Sequence, residues 1–462
     1  MATAVASAQT RASFYRAVWR WHFYAGLFCV PFVVILAITG SIYLFKPQVE
    51  SWIDSRHHDL VVTGPRASAD QQVAAALAAH PEASLRSYIL PAAPNDGVQM
   101  ILRLPEGGTR LVTVDPHSLA ILDSIDPEDR FMAIVRTIHG ELLMGERGSY
   151  LVELAACWAI VMILTGLYLW WPRQASGLAG VVYPRLSAGG RVFWRDLHAV
   201  TGVWVSAFAL FLLTTGLPWA SVWGDAFKQV REWTGTTAGP VDWTQSRATE
   251  QAQAAHEHHD HAGHHDPAAR QPAVVSAVTL QQIVDRAMPL ALPAPVAIRP
   301  PGGGAHGLAL PKDAPPVWIV TSETPNRPLR ATVAFDATTG AQLMRQDFAD
   351  RHLIDRIIGY GIAAHEGQLF GPLNQALGVL TALGLVTLSV SGMVMWWRRR
   401  PDGVLGAPPT SDYRITAGLA GIIVVLGLLM PLLGLSLLVI ALVELLLLRR
   451  IPPVAKVLGL AR

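Results

Sequence analysis

Charge is scarce in this 462-residue sequence: Asp, Glu, Lys and Arg together make up 15% of it, where a water-soluble domain carries about a quarter. That shortage excludes an ordinary soluble enzyme. No sign of charge predominates either, with a net charge of +2 and a pI of about 8.6, which is too balanced for a nucleic-acid-binding footprint, so no nucleic acid is expected as a partner. The only two cysteines, Cys29 and Cys157, lie inside apolar runs and offer neither a disulfide framework nor a Cys-based zinc site. There is no Gly-x-Gly-x-x-Gly opening a helix after a strand and no Walker pattern. Hydrophobic residues, in contrast, reach 51%, and the mean hydropathy is +0.34. They fall in long uninterrupted runs, which excludes disorder over most of the chain. This is the composition of an α-helical integral membrane protein, with membrane lipid around it.

A bilayer core of about 30 Å needs about 20 apolar residues in a helix. Residues 23–45, 150–171, 198–219 and 373–397 each meet that requirement. A fifth tract, 415–448, is interrupted near Pro431 and Gly434. As one helix it would measure about 50 Å, so it is expected to be a hairpin of two short spans, giving about six in all. The first apolar run ends in Lys46-Pro47-Gln48 without a small-x-small site, so it is expected to stay as an anchor. The segments 1–20, 172–197, 398–414 and 449–462 hold fifteen Lys and Arg against three acids, Asp196, Asp402 and Asp412. Such segments stay in the cytoplasm. Both termini are therefore expected there, with residues 1–22 as the N-terminal segment and 449–462 as the tail. The loops 46–149 and 220–372 are expected across the membrane, in the periplasm if this is a bacterial inner-membrane protein.

Each long loop carries a small α+β pattern. In the first, within about 66–126, a helical stretch at 69–80 precedes strand-like runs at 85–90, 98–104 and 110–114, then an Asp115-Pro116 turn. In the second, within about 276–346, residues 276–288 read as a helix, followed by strands near 317–321 and 331–335 and a turn at 336–340. Alone, either unit holds only a small core. The intervening 236–275 is polar and rich in Ala and His, as a flexible linker is.

Self-similarity carries the most information. Trp19-x-x-His22-x3-Gly26 matches Trp194-x3-His198-x3-Gly202, and His22 precedes Gly40, as His198 precedes Gly216, by 18 residues. His139 and His365 each stand six residues before a glycine (Gly145, Gly371) and 27 before another (Gly166, Gly392). Each of the latter precedes a Trp pair, Trp170-Trp171 or Trp396-Trp397, by four residues. The chain therefore reads as two parallel halves, each made of a span, a small domain and a span, so that four spans form two repeats. Parallel halves imply a pseudo-two-fold axis along the membrane normal. That axis pairs His22 with His198 near the cytoplasmic face and His139 with His365 near the periplasmic face. Two imidazoles across an axis can supply both axial positions of a haem iron, whereas zinc wants four ligands. A histidine near a span end is ordinarily just an interfacial polar residue, but packing alone does not require that residue type at two repeated registers. Two haems b are expected on these four histidines. Gly26, Gly40, Gly166, Gly202, Gly216 and Gly392 are the small residues expected to let the flat macrocycle approach, with Gly40 on the face of His22.

The sequences Leu197-His198-Ala199-Val200-Thr201-Gly202, Thr215-Gly216-Leu217-Pro218-Trp219, His365-Glu366-Gly367-Gln368-Leu369-Phe370-Gly371 and Ser391-Gly392-Met393-Val394-Met395-Trp396-Trp397 resemble the PepSY-associated transmembrane family. The resemblance covers roughly residues 13–402 and leaves the C-terminal hairpin outside; His22 departs only in having Trp21 where Leu197 stands. It implies that the two loop units are PepSY domains. The family includes haem-containing, FoxB-type ferric-siderophore reductases of the inner membrane. For this chain it implies an enzyme that passes electrons to a periplasmic ferric chelate or siderophore in iron uptake. The alternatives are reduction of another periplasmic metal complex, or a non-enzymatic module whose PepSY units bind a peptide or a protease. The short cytoplasmic loops leave no room for a flavin domain, so the electron donor is expected to be a quinol or a separate cytoplasmic reductase.

Within the linker, His256, His258, His259, His261, His264 and His265 form a cluster able to bind metal loosely, or simply a solvated low-complexity stretch. The Trp pairs read as an interfacial belt. Glu153 and Glu444 are acids in or near apolar spans, where an acid is functional by default, although Glu153 lies close enough to an interface to be merely solvated.

Overall fold

The computed structural model describes residues 2–173, 177–236, 276–302, 308, 310–311, 313–408, 413 and 415–460, with side chains from residue 11 onward. The His-rich cluster at 256–265 lies outside the described residues. In chain order the helices are α1 (Ala2–Tyr43), α2 (Lys46–Asp54), α3 (Ala69–Ala79), α4 (Phe131–Glu141), α5 (Glu146–Trp170), α6 (Gly190–Gly216), α7 (Ser221–Trp233), α8 (Leu280–Ala287), α9 (Leu353–His365), α10 (Pro372–Arg399), α11 (Ala417–Leu429), α12 (Pro431–Leu446) and α13 (Pro452–Val457). The strands are β1 (Ser84–Ile89), β2 (Val98–Arg103), β3 (Thr109–Val114), β4 (Ile121–Ile125), β5 (Val296–Arg299), β6 (Val317–Ser322), β7 (Ala331–Asp336) and β8 (Gln342–Asp347). Two compact units result, one of Met1–Ser41, Thr137–Ala226 and Ala376–Arg462, the other of Ile42–Arg136 and Phe227–Gln375.

The first unit holds the apolar helices. Five helical stretches are long and apolar enough to cross a membrane: Arg11–Tyr43, Glu146–Trp170, Gly190–Trp219, Pro372–Arg399 and Pro431–Arg450. The sixth expected span would be α11, in the C-terminal tract, which is apolar but shorter than these five. The tract breaks at Met430, where Pro431 occupies the first turn of α12 and cannot donate to a continuing helix. The 13 residues of α11 extend only about 20 Å, short of a bilayer core. Two glycines make the bend tight: a Cβ on Gly434 would stand 2.7 Å from the Gly427 carbonyl oxygen. The hairpin packs on α5, where Trp158 Nε1 donates to Ser436 Oγ at 3.1 Å and Cys157, Ile160, Met430 and Leu433 are buried together.

In the second unit the strands of the two long loops, expected as separate domains, form one eight-stranded antiparallel sheet in the order β4-β3-β2-β1-β5-β6-β7-β8. The seam is β1 against β5, with Tyr88 opposite Ile298 and Ile89 opposite Ala297. Alone, either set of four strands would hold only a small core. Joined, they bury Val98, Met100, Leu102, Val112 and Tyr88 together with Ile283, Ile298, Val320, Val333 and Phe335 under α3 and α8. Those two helices begin alike, with the capping boxes Ser68-x-x-Gln71 and Thr279-x-x-Gln282. Each also caps the other: Asp70 accepts from the N–H groups of Leu280 and Gln281, while Gln281 Oε1 accepts from the Ala69 N–H. The turns match as well. Asp115 Oδ1 accepts from His117 N at 2.8 Å, and Asp336 Oδ1 accepts from Thr338 N at 2.7 Å and Thr339 N at 2.8 Å.

Candidate functional site: two histidine clamps

Within the first unit His22, on α1, enters a notch on α5. Its Nδ1 lies 3.1 Å from the Met162 carbonyl oxygen and 3.1 Å from Thr165 Oγ1. The ring fits because position 166 is glycine, where a Cβ would sit 3.1 Å from His22 Cε1. His198, on α6, meets α10 in the same way. Its Nδ1 lies 3.1 Å from the Leu388 carbonyl oxygen and 3.1 Å from Ser391 Oγ, and a Cβ on Gly392 would stand 3.4 Å from His198 Cε1. A carbonyl oxygen can only accept, so Nδ1 carries the proton and donates in both rings. Nε2 is left with its lone pair, the state of an imidazole that ligates a metal through Nε2. The hydroxyls stay in the helix ladder: Thr165 Oγ1 donates to Val161 O at 2.8 Å and Ser391 Oγ to Thr387 O at 2.6 Å.

The two clamped rings face each other, with centroids 6.4 Å apart and planes at 84°. Two imidazoles sharing one metal atom at about 2.0 Å per bond would bring their centroids to about 6 Å. Among the described residues, no group of three or more His, Cys, Asp or Glu is placed to hold a metal ion. The pair therefore offers two ligands, the number that a haem iron lacks.

His139, in α4, also belongs to the first unit. Its Nδ1 is 3.0 Å from Thr39 Oγ1, and a Cβ on Gly40 would stand 3.1 Å from its Cε1. The 18-residue spacing puts Gly40 on the face of His22, as a small residue beside a macrocycle. The imidazole it accommodates is His139, because the glycine lies on the helix that receives a ring rather than the one that bears it. His365 ends α9 in the second unit, so the structure brings His22 and His198 together within one unit and places His139 and His365 in different ones. Gly26 and Gly202 pack on the side chains whose carbonyls hold the rings: a Cβ would meet Met162 Sδ at 3.6 Å and Leu388 Cδ2 at 3.5 Å. Gly216 is the last residue of α6.

The repeat did not single out Thr165, Met162 and Leu388, and Ser391 stood out only as part of the Ser391-Gly392 motif. Glu153 is buried rather than solvated: its carboxylate accepts from Val222 N at 2.9 Å and Trp223 N at 3.0 Å, amides of the first turn of α7. Glu444 pairs with Arg449 at 2.7 Å. The first Trp of each pair closes a following loop, Trp170 Nε1 donating to Val181 O at 3.0 Å and Trp396 Nε1 to Leu405 O at 2.8 Å.

Long apolar helices with histidines clamped between them define a multi-span membrane protein that presents paired imidazoles inside the helical unit. A family model described as the PepSY-associated TM region matches residues 19–399, and the chain belongs to that family. No curated relative matches it.

Proposed function

We propose that this chain is a membrane haem oxidoreductase that passes electrons across the bacterial inner membrane to a periplasmic ferric chelate such as a siderophore. The observation that carries the reading is the facing pair His22 and His198, each with Nδ1 tied down and Nε2 available, at the separation two ligands of one iron require. These residues fit a haem: the clamps orient both rings before any cofactor arrives, and Gly166 and Gly392 keep them seated. A bound haem would supply a one-electron Fe(III)/Fe(II) couple. The chain's part is to fix both axial nitrogens in the buried interior of the unit. The second haem, on His139 and His365, rests on the sequence register. The donor is a quinol or a cytoplasmic reductase, and iron leaves its chelate on reduction because Fe(II) is a less charged acceptor for oxygen ligands. The test is the spectrum of purified full-length protein. A Soret band that shifts on reduction, with stoichiometric haem, supports the reading, and colourless protein refutes it.

The eight-stranded sheet supports a second reading. Its end strands β4 and β8 each pair with one neighbour in the sheet, leaving an edge for an added strand, as a peptide- or protease-binding module requires. Colourless protein that retains a peptide would favour that function.

A further inference from the structure

Nothing in a histidine side chain fixes the plane of its ring, because the torsion that turns an imidazole about its Cβ–Cγ bond has a broad minimum. In the facing pair that freedom is removed from outside. The Nδ1–H of His22 is shared between two acceptors on α5, the Met162 carbonyl at 3.1 Å and Thr165 Oγ1 at 3.1 Å. The Nδ1–H of His198 is shared in the same way on α10, between the Leu388 carbonyl at 3.1 Å and Ser391 Oγ at 3.1 Å. In each half the hydroxyl oxygen also lies 3.1 Å from that same carbonyl oxygen, so a nitrogen and two oxygens form the same triangle twice. The hydroxyl hydrogens have nearer acceptors one residue upstream, Val161 O at 2.8 Å and Thr387 O at 2.6 Å, which leaves oxygen lone pairs for the imidazoles. Gly166 and Gly392 then close the Cε1 edge of each ring.

The outcome is a definite crossing: the two ring planes stand at 84°. Each ring is tied to a different helix, so the angle is set by two separate clamps, and a change in either moves it. For two axial ligands of one iron this angle has an electronic meaning. A ligated imidazole donates π density into the iron d orbital that lies across its plane. Parallel rings raise one orbital of a pair and split the two apart. Perpendicular rings raise both and leave them nearly equal in energy. In low-spin ferric iron the missing electron sits in the raised orbital, so a large splitting stabilises the ferric state and its absence favours reduction.

We infer that Thr165 and Ser391 are positioning residues that, with the Met162 and Leu388 carbonyls, hold the axial imidazoles of the His22–His198 haem at right angles and so make that haem easier to reduce. The inference rests on the haem reading above and names what regulates the same site. The step it tunes is one electron from the quinol or cytoplasmic reductase converting Fe(III) to Fe(II). No bond forms or breaks in it. No proton leaves either Nδ1, since a carbonyl oxygen accepts a hydrogen bond but does not take the proton away. The axial ligands stay the same in both states, and the residues around them adjust the couple.

Full-length, haem-loaded protein is frozen in the ferric state and measured by EPR and by near-infrared magnetic circular dichroism. Its midpoint potential is followed in a titration with dithionite and ferricyanide. The dichroism band reports bis-imidazole ligation whatever the angle between the planes, and the signal of this pair is the part absent from His22→Ala and His198→Ala. In wild type that part should be a strongly anisotropic low-spin signal dominated by one large g value. Thr165→Val with Ser391→Ala should keep the dichroism band, turn the EPR signal toward the rhombic three-line form of parallel planes, and lower the potential. Thr165→Ser with Ser391→Thr should retain the wild-type signal and potential. Hydroxyls that merely strengthened the N–H bond would behave otherwise. Their loss would raise the potential, because an imidazole that shares its proton less donates less to ferric iron, and would leave the EPR signal unchanged; that result overturns the inference. A rhombic signal from this pair in wild type, with the bis-imidazole band present, overturns it without relying on any variant. A band that is missing, or undiminished in His22→Ala and His198→Ala, would mark failure of the haem reading itself.

Discussion

The two clamps make the same contacts, and the positions two turns away from them differ. His22 with Met162, Thr165 and Gly166 repeats as His198 with Leu388, Ser391 and Gly392, while the positions of Tyr15 and Arg173 hold Arg191 and Arg399 in the other half. What two halves must hold in common, such as one metal atom between equivalent nitrogens, constrains both sequences equally. Positions that do not touch the clamps are free to differ between the halves. The eight-stranded sheet follows the same rule: its helix caps, turns and inward-facing strand residues agree across the β1–β5 seam, because both halves build one core.

The strongest test of this likeness removes a ligand. His22→Ala and His198→Ala should each abolish one haem, and the two variants should be indistinguishable in pigment analysis; unequal losses would break the equivalence. Next in size is crowding of a clamp. Gly166→Val and Gly392→Val each place branched carbons where a Cβ already meets the histidine ring at 3.1 and 3.4 Å. Both should lose most of the same haem, with the tighter Gly166 the more sensitive. In the sheet, Ile298→Ala at the seam, with Ile298 fully buried, should cost about 2–5 kcal/mol. Protease resistance should then fall in both strand sets, β1–β4 and β5–β8, rather than in one. A drop confined to β5–β8 would mean that the halves do not share a core.

Smaller effects sharpen the comparison. Thr165→Val and Ser391→Ala remove a hydroxyl but keep the carbonyl acceptor, so each should weaken haem retention by about 1 kcal/mol at most. The turn carboxylates give a pH dependence. The N–H groups of Thr339 and Thr338 hold the Asp336 carboxyl below its ordinary range. Partial burial pushes Asp115 upward, but the N–H of His117 and the hydroxyl and N–H of Ser118 outweigh it and hold this carboxyl low too. Both carboxyls are depressed, so the stability they contribute is present above the ordinary carboxylate range and is lost as the pH falls through the lowered values. Amide exchange at Thr338 and Thr339 should therefore rise, relative to an Asp336→Asn variant, only at acid pH. Deleting residues 250–268 should leave haem content unchanged, since this stretch has no counterpart in the first half.

Much of this was legible in the sequence because it was written twice. The registers from His22 to Gly40 and from His198 to Gly216, and the glycines before each Trp pair, mark the histidines and the glycines, but the glycines as room for a macrocycle rather than for an imidazole ring. They did not reveal which glycine receives which ring, since a spacing along one helix says nothing about the helix packed against it, and Gly40 proved to serve His139. Single-sheet closure was hidden for a similar reason: β1 is marked by its pattern, but the four-residue β5 is not, and pairing between segments about 200 residues apart leaves no local signal. Pro431 showed where the C-terminal tract breaks, yet the resulting length of α11 depended on where Thr416 caps it. Glu153 read as solvated because nothing near it in sequence marks the α7 amides it satisfies.

The most direct measurement is the haem-to-protein ratio of purified full-length chain, determined side by side for the wild type, His22→Ala and His198→Ala. Two haems per wild-type chain, falling to one in either variant, is the result predicted from two equivalent clamps around one iron. A full complement of haem in both variants would contradict it.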